Sequence, residues 1–138
     1  MALAGALLAL VVLSALVTTA FLTGLLEQRA ARGSADAVRA LEAAEAGLAM
    51  VAGNWAGLAS ATIAVGDSVT LPSTALDQWV AFTPTLQRLT EHLYVVRSVG
   101  TRVDAGGNVL ARRAVALLGH SDGLTLVPLP QRSWLHVY

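Results

Sequence analysis

Met1-Ala-Leu-Ala-Gly-Ala-Leu-Leu-Ala-Leu-Val-Val-Leu-Ser-Ala-Leu-Val-Thr-Thr-Ala-Phe-Leu-Thr-Gly-Leu-Leu26 decides how the chain is read. The stretch holds no charged side chain and no proline. As an α-helix rising ~1.5 Å per residue it spans roughly 39 Å, enough to cross a hydrocarbon layer ~30 Å thick with some tilt. Apolar residues cover every side of it, so no face suits water. Three readings compete. A secretory signal peptide has a basic front end and a shorter apolar core, whereas here the first charge is Glu27 and the first arginine is Arg29. A simple anchor takes its orientation from flanking basic residues. Here Arg29, Arg32 and Arg39 all follow the span and are interspersed with Glu27, Asp36, Glu42 and Glu45. The third reading is a helix that sits in the membrane for a time and is later buried against copies of itself.

Composition bounds the remainder. With 138 residues, 55% hydrophobic and 13% charged, the chain fits one small domain behind a membrane-length helix. Nine arginines balance nine acids, and there is no lysine. That balance provides no electrostatic footprint for nucleic acid or an anionic surface. Cysteine is absent, which excludes disulfides and thiolate chemistry. Aromatic residues are 5% of the total, so a soluble core must come from Leu, Val and Ala.

Beyond Leu26 the helical signal continues. Residues 27–53 are rich in Ala, Leu, Glu and Arg, all strong helix formers, and the first proline is Pro72. Val38, Leu41, Leu48, Val51, Trp55 and Leu58 recur at helical spacing and predict the buried stripe. Arg32 with Asp36, Asp36 with Arg39, and Arg39 with Glu42 are spaced to pair along one helix, for a few tenths of a kcal/mol each. Gly33-Ser34 makes a bend cheap. Gly53-Asn54 or Gly57 is the expected stop. The amphipathic half, residues 27–58, then needs a partner surface.

The C-terminal segment, residues 59–138, reads as strands and turns. Thr62-Ile-Ala-Val65 and Ser68-Val-Thr-Leu71 flank Gly66-Asp67 and predict a tight hairpin. Ser73 is a candidate N-cap for a short helix through Phe82, with Leu76, Trp79 and Val80 inward. Thr83-Pro84 opens a second candidate helix to His92, burying Leu86, Leu89 and Leu93. Leu93–Gly100 and Val109–Leu118 predict an antiparallel hairpin around Asp104-Ala-Gly-Gly-Asn108. A turn is expected over Gly119–Gly123. Leu124–Leu129 follows as a strand that Pro128 and Pro130 confine to an edge, and Ser133–Tyr138 as a fourth. The expected class is α+β: a long helix, apolar then amphipathic, packed by a small antiparallel sheet.

Catalytic patterns are weak. His92, His120 and His136 share no ligand spacing. His120-Ser121-Asp122 names the members of a triad, but adjacent residues cannot take that geometry. Glu42 and Glu45 share a helix face without a cleft. Asp104–Asn108 lacks the alternating acids of a calcium loop. No cofactor or metal is expected, and Trp55, Trp79 and Trp134 read as core or contact residues.

This arrangement resembles the type IV pilin and pseudopilin family. Leu25-Leu-Glu-Gln-Arg29 and Ala40-Leu-Glu-Ala-Ala-Glu-Ala-Gly-Leu48 are similar to the first helix of PilX-type minor pilins and the related large pseudopilins. Tyr94-Val-Val-Arg-Ser-Val-Gly100 and Ala111-Arg-Arg-Ala-Val115 resemble their sheet strands. The resemblance implies a pilin-like fold and a bacterial surface filament reached through the inner membrane, built by a pilus assembly machinery as a helical homopolymer. It also implies a basic leader cut off before Met1, whose new terminus is methylated. That lost leader would be the cytoplasmic positive cue. Two departures stand out. Most of the family has a glutamate where this chain has Gly5, so that either a different contact satisfies the Met1 amine or the chain is a specialised subunit such as a filament tip. The proline often found in the second half of the span is missing, and Ser14, Thr18, Thr19, Thr23 and Gly24 become the expected place for the helix to unwind.

The physical logic of assembly is independent of that likeness. Burying residues 1–26 among copies removes on the order of 2,000 Å² from water, tens of kcal/mol gross at ~25 cal/mol per Å² as an upper bound. Ala2, Ala4, Gly5, Ala6, Ala9, Ser14, Ala15 and Ala20 permit close backbone approach. The expected assembly residues are Met1, Gly5, Leu8, Val12, Leu16, Phe21 and Leu25, with Glu27, Arg29 and Arg32 as intersubunit charges. The expected role is structural rather than enzymatic. A minor or tip pseudopilin of a secretion or DNA-uptake machine and a single-span anchored binding module are the alternatives.

Overall fold

The computed structural model describes residues 2–58, 62–129 and 134–137. The chain divides into two compact units, Met1–Ala35 and Asp36–Tyr138. Helix α1 is continuous over Ala2–Gly53. It ends at the expected Gly53-Asn54: the Asn54 N–H donates to the Met50 carbonyl at 3.1 Å, and Trp55–Gly57 adds one 3₁₀ turn. Among the described residues seven strands follow: β1 (Ser68–Thr70), β2 (Thr74–Ala75), β3 (Val80–Arg88), β4 (Leu93–Val103), β5 (Val109–Ser121), β6 (Leu126–Pro128) and β7 (Trp134–Val137).

The strands form one antiparallel sheet with β3, β4 and β5 at its centre. β1 and β2 lie end to end along the free side of β3, and β6 and β7 along the free side of β5. The architecture is the expected α+β class, consistent with a pilin-like layout. The β4–β5 hairpin matches its expectation. Asp104 Oδ1 accepts from the Gly106 and Asn108 N–H groups at 2.8 Å each, and Gly107 takes a φ of 80°, so local chemistry closes the turn. β6 is an edge strand, as its proline requires. The turn before it falls later than expected, because β5 runs on to Ser121.

Three expectations for residues 62–92 are corrected. Thr62–Val65 is not a strand. The turn at Gly66 exists, with φ 93°, but β1 pairs with β3 and not with the preceding residues. Neither short helix forms. The segment from Ser73 holds β2, and Thr83-Pro84 lies inside β3. The strand prevails because Val80, Phe82, Pro84 and Leu86 alternate onto one buried face. Pro84 is tolerated because its carbonyl accepts from the Leu71 N–H at 2.9 Å on the side away from β4, beyond the last residue of β1 and before β2. Its missing N–H therefore forgoes only the reciprocal bond to the Leu71 carbonyl, beyond the last residue of β1 and away from β4.

The expected buried stripe of α1 holds at Leu48, Val51 and Trp55, with Leu41 and Leu58 half-buried against the core. Val38 is the exception at 51% exposed, and Ala40, Ala43, Ala44 and Gly47 join Leu48 and Val51 in the seat on the sheet. Small residues are needed because backbone meets backbone. A Cβ on Gly100 of β4 would strike the Ala40 carbonyl oxygen and come within 2.6 Å of the Ala44 nitrogen. A Cβ on Gly47 would strike Ser98 Oγ and come within 2.7 Å of the Phe82 ring. Around this seat, Leu48, Val51, Trp55, Leu86, Tyr94, Val96, Val115, Leu117 and Leu126 make the main core. Ala43, Val80 and Phe82 make a smaller cluster with Trp79 against it.

A candidate assembly helix

Residues 3–26 of α1 are the part of the molecule that water tolerates least. Leu7, Leu10, Val11, Leu13, Val17, Leu22 and Leu26 are all more than half exposed. The most apolar window of the helix has a mean hydropathy of 2.4 and none of it is buried, so α1 is long and apolar enough to cross a membrane. Of the expected assembly residues, Gly5, Leu8, Val12 and Leu16 fall on one stripe by their spacing of three, four and four. The step of five to Phe21 carries it and Leu25 to another side. All six are exposed, and Met1 lies outside the described residues.

The expected unwinding between Ser14 and Gly24 is contradicted. The helix there is regular. Ser14 donates to the Leu10 carbonyl, Thr18 to Ser14 and Thr19 to Ala15, each at 2.8 Å, and Thr23 to Thr19 at 2.9 Å. Each hydroxyl bonds the carbonyl one turn back, which satisfies it inside an apolar layer without breaking the ladder.

Glu27, Arg29 and Arg32 are exposed. None of the three forms an ion pair within 4.0 Å among the described residues, and the spacing-based pairs of Arg32, Asp36, Arg39 and Glu42 do not close. Instead the Asp36 carboxylate lies 3.5 Å from Nε of Arg102 on β4. This pair joins helix and sheet where both side chains are half-buried, whereas an exposed intrahelical pair orders two long side chains for little gain.

At the far end of the core, the chain brings together residues that spacing did not. His92 and His120 lie with ring centroids 5.5 Å apart, because Leu93 pairs with His120 across β4 and β5. Among the described residues no group of three His, Cys, Asp or Glu side chains is placed to hold a metal. His120-Ser121-Asp122 points its members to opposite sides, as a strand end must. Ser121 is buried and its Oγ accepts from Trp55 Nε1 at 2.7 Å and from the Gly123 N–H at 3.0 Å. Asp122 is exposed and its Oδ1 accepts from the N–H groups of Thr125 and Leu124. Those bonds, led by the Thr125 amide, hold its carboxyl below the ordinary value. Asp104 is lowered likewise, first by the Asn108 side chain and then by the Asn108 N–H. Both loops use their carboxylates as turn acceptors.

Arg88 is the residue that motif reading passed over. Its Nη1, Nη2 and Nε donate to the carbonyls of Ile63 at 2.9 Å, Glu91 at 3.0 Å and Thr90 at 3.2 Å, and its guanidinium sits 5.7 Å from the Tyr94 ring centre. One planar fork thus ties two loops to the sheet. Trp55 meets the same Tyr94 edge to face at 5.1 Å. No family model, curated protein or solved structure matches the chain.

Proposed function

We propose that the chain is a structural subunit of a type IV pilus-like filament, assembled by bundling of its N-terminal helix. In this reading its partners are further copies of itself, the inner membrane before assembly and a pilus assembly machinery, and its place is the bacterial cell surface. One observation carries the reading. A helix of 52 residues is apolar and unburied at one end, and seats small residues on a sheet at the other. Outside a bilayer, the bare end requires other apolar surface, and side-by-side copies supply it. The role is structural, with no step of catalysis assigned to any residue. Gly5, standing where most of the resembled family carries a glutamate, favours a minor or tip subunit as the second reading. The membrane-length helix alone would also serve a single-span anchored binding module.

The test is electron microscopy of filaments sheared from producing cells. This chain as the repeating unit, with residues 3–26 in the filament centre, is the expected result. Its presence only at filament ends would select the tip reading. Membrane fractions holding all of the chain, with no filament, would overturn both in favour of the anchor.

A further inference from the structure

The exposed charges of α1 repeat at one offset. Arg29 precedes Glu42, and Arg32 precedes Glu45, by thirteen residues each. All four are exposed, and none closes an ion pair among the described residues. Asp36, another charge of this stretch, is already held by Arg102. We propose that neighbouring copies in the filament lie parallel and displaced by thirteen residues. Arg29 and Arg32 of one copy then meet Glu42 and Glu45 of the next. The displacement is about 20 Å at ~1.5 Å per residue. This assignment rests on the filament reading, in which every copy enters the membrane in one orientation and the copies are therefore parallel.

Two further features support it. Arg29 and Arg32 are three residues apart and share a helix face, as do Glu42 and Glu45, so both contacts form along one seam. Beside Glu42 lies a groove of about 340 Å³ lined also by Arg39, Leu76 and Asp77. Asp77 adds a second carboxylate to that lining, its Oδ1 also accepting from the Trp79 N–H, and a planar guanidinium suits such a site. Competing displacements are penalised by like charges. Zero displacement faces every charge with itself. Seven residues sets Arg32 on Arg39, ten sets Arg29 on Arg39 against one opposite pair (Arg32 on Glu42), fifteen sets Glu27 on Glu42, and eighteen sets Glu27 on Glu45. The apolar span attracts without direction and cannot choose among these registers; the charges behind it can.

Charge reversal in the full chain tests the assignment. The R29E/R32E variant is expected to lower the yield of sheared filaments by about tenfold or more, because like charges then face each other across the seam. Adding E42R/E45R is expected to restore it. Unchanged filaments in the first variant, or no rescue by the second while it still accumulates in the membrane, would overturn the pairing. A second measurement uses the absence of native cysteine. In an R29C/E42C chain, oxidation of filaments should give a ladder of cross-linked multimers, with Arg32 and Glu45 left to hold the register. Monomers alone, or dimers without a ladder, would overturn the parallel displacement. The two readings fail separately: loss of the filament reading shows in the unaltered chain, and loss of the pairing shows in variants of a chain that does form filaments.

Discussion

Leu13 and Leu48 lie on the same continuous helix, yet Leu13 is 62% exposed and Leu48 is 1% exposed. The contrast extends to their neighbours. Around Leu13 every side of the helix carries Leu, Val or Phe, and nothing among the described residues covers them. Around Leu48 the buried face is mostly Ala and Gly, and charges occupy the outside. The end with more apolar surface has no partner, and the end with less is fully engaged. Apolar area sets how strongly a surface avoids water, while shape at close range sets which surface it meets. Small residues over Gly100 specify one seat. An all-round leucine surface accepts any apolar neighbour, lipid or copy.

Substitutions at glycines break this contrast most sharply. Gly100→Val drives a side chain into the α1 backbone, which cannot yield as a flexible side chain would, and should destabilise the sheet domain by about 3 kcal/mol or more. Gly24→Val, where a Cβ meets nothing within 4 Å, should leave the urea midpoint in detergent unchanged. Equal effects of the two would mean that the seat is not the tight one described. Next in size is the leucine pair itself. Leu48→Ala should cost about 2–4 kcal/mol in the same titration. Leu13→Ala should leave that midpoint alone and instead raise the fraction of chain released from membranes by alkaline extraction.

Ser121→Ala sharpens the engaged end. It strands the buried Trp55 Nε1–H, and the cost should be about 1–3 kcal/mol, with a shift in tryptophan emission as the readout. The smallest effect concerns acid. Asp104 and Asp122 have folded values below their unfolded value of about 3.9, so each adds stability above that value. That stability is lost as pH falls below about 4 and through the folded values. Both side chains are exposed, so the expected loss is a small drop in Tm between pH 6 and pH 3, reduced in D104N/D122N. A drop of the same size in the double variant would assign the acid sensitivity elsewhere.

Legibility followed the range of the interactions. The β4–β5 hairpin could be read because Asp104–Asn108 closes its own turn and the flanking residues carry strand-forming side chains. β3 could not, because Ser73 and Thr83-Pro84 are good local helix starts. What overrides them is pairing with Tyr94–Arg102 on one side and a gap between β1 and β2 on the other. The same limit explains Val38. Reading the largest side chains as buried works for ordinary packing and fails where the helix backbone lies on a glycine. The histidine pair and the Arg88 clasp each join residues that only strand register or loop closure brings together.

By itself, the sequence determined the long helix, its bare apolar end, its stop within Gly53–Gly57 and the local turn of the central hairpin. Each of these depends on residues within a few positions of one another. Only the tertiary structure decided which face of α1 is buried, that residues 80–88 form a strand, and that Asp36 pairs with Arg102 rather than along its own helix. Those outcomes depend on contacts between residues far apart in the chain, where backbone shape at Gly47 and Gly100 outweighs local propensity.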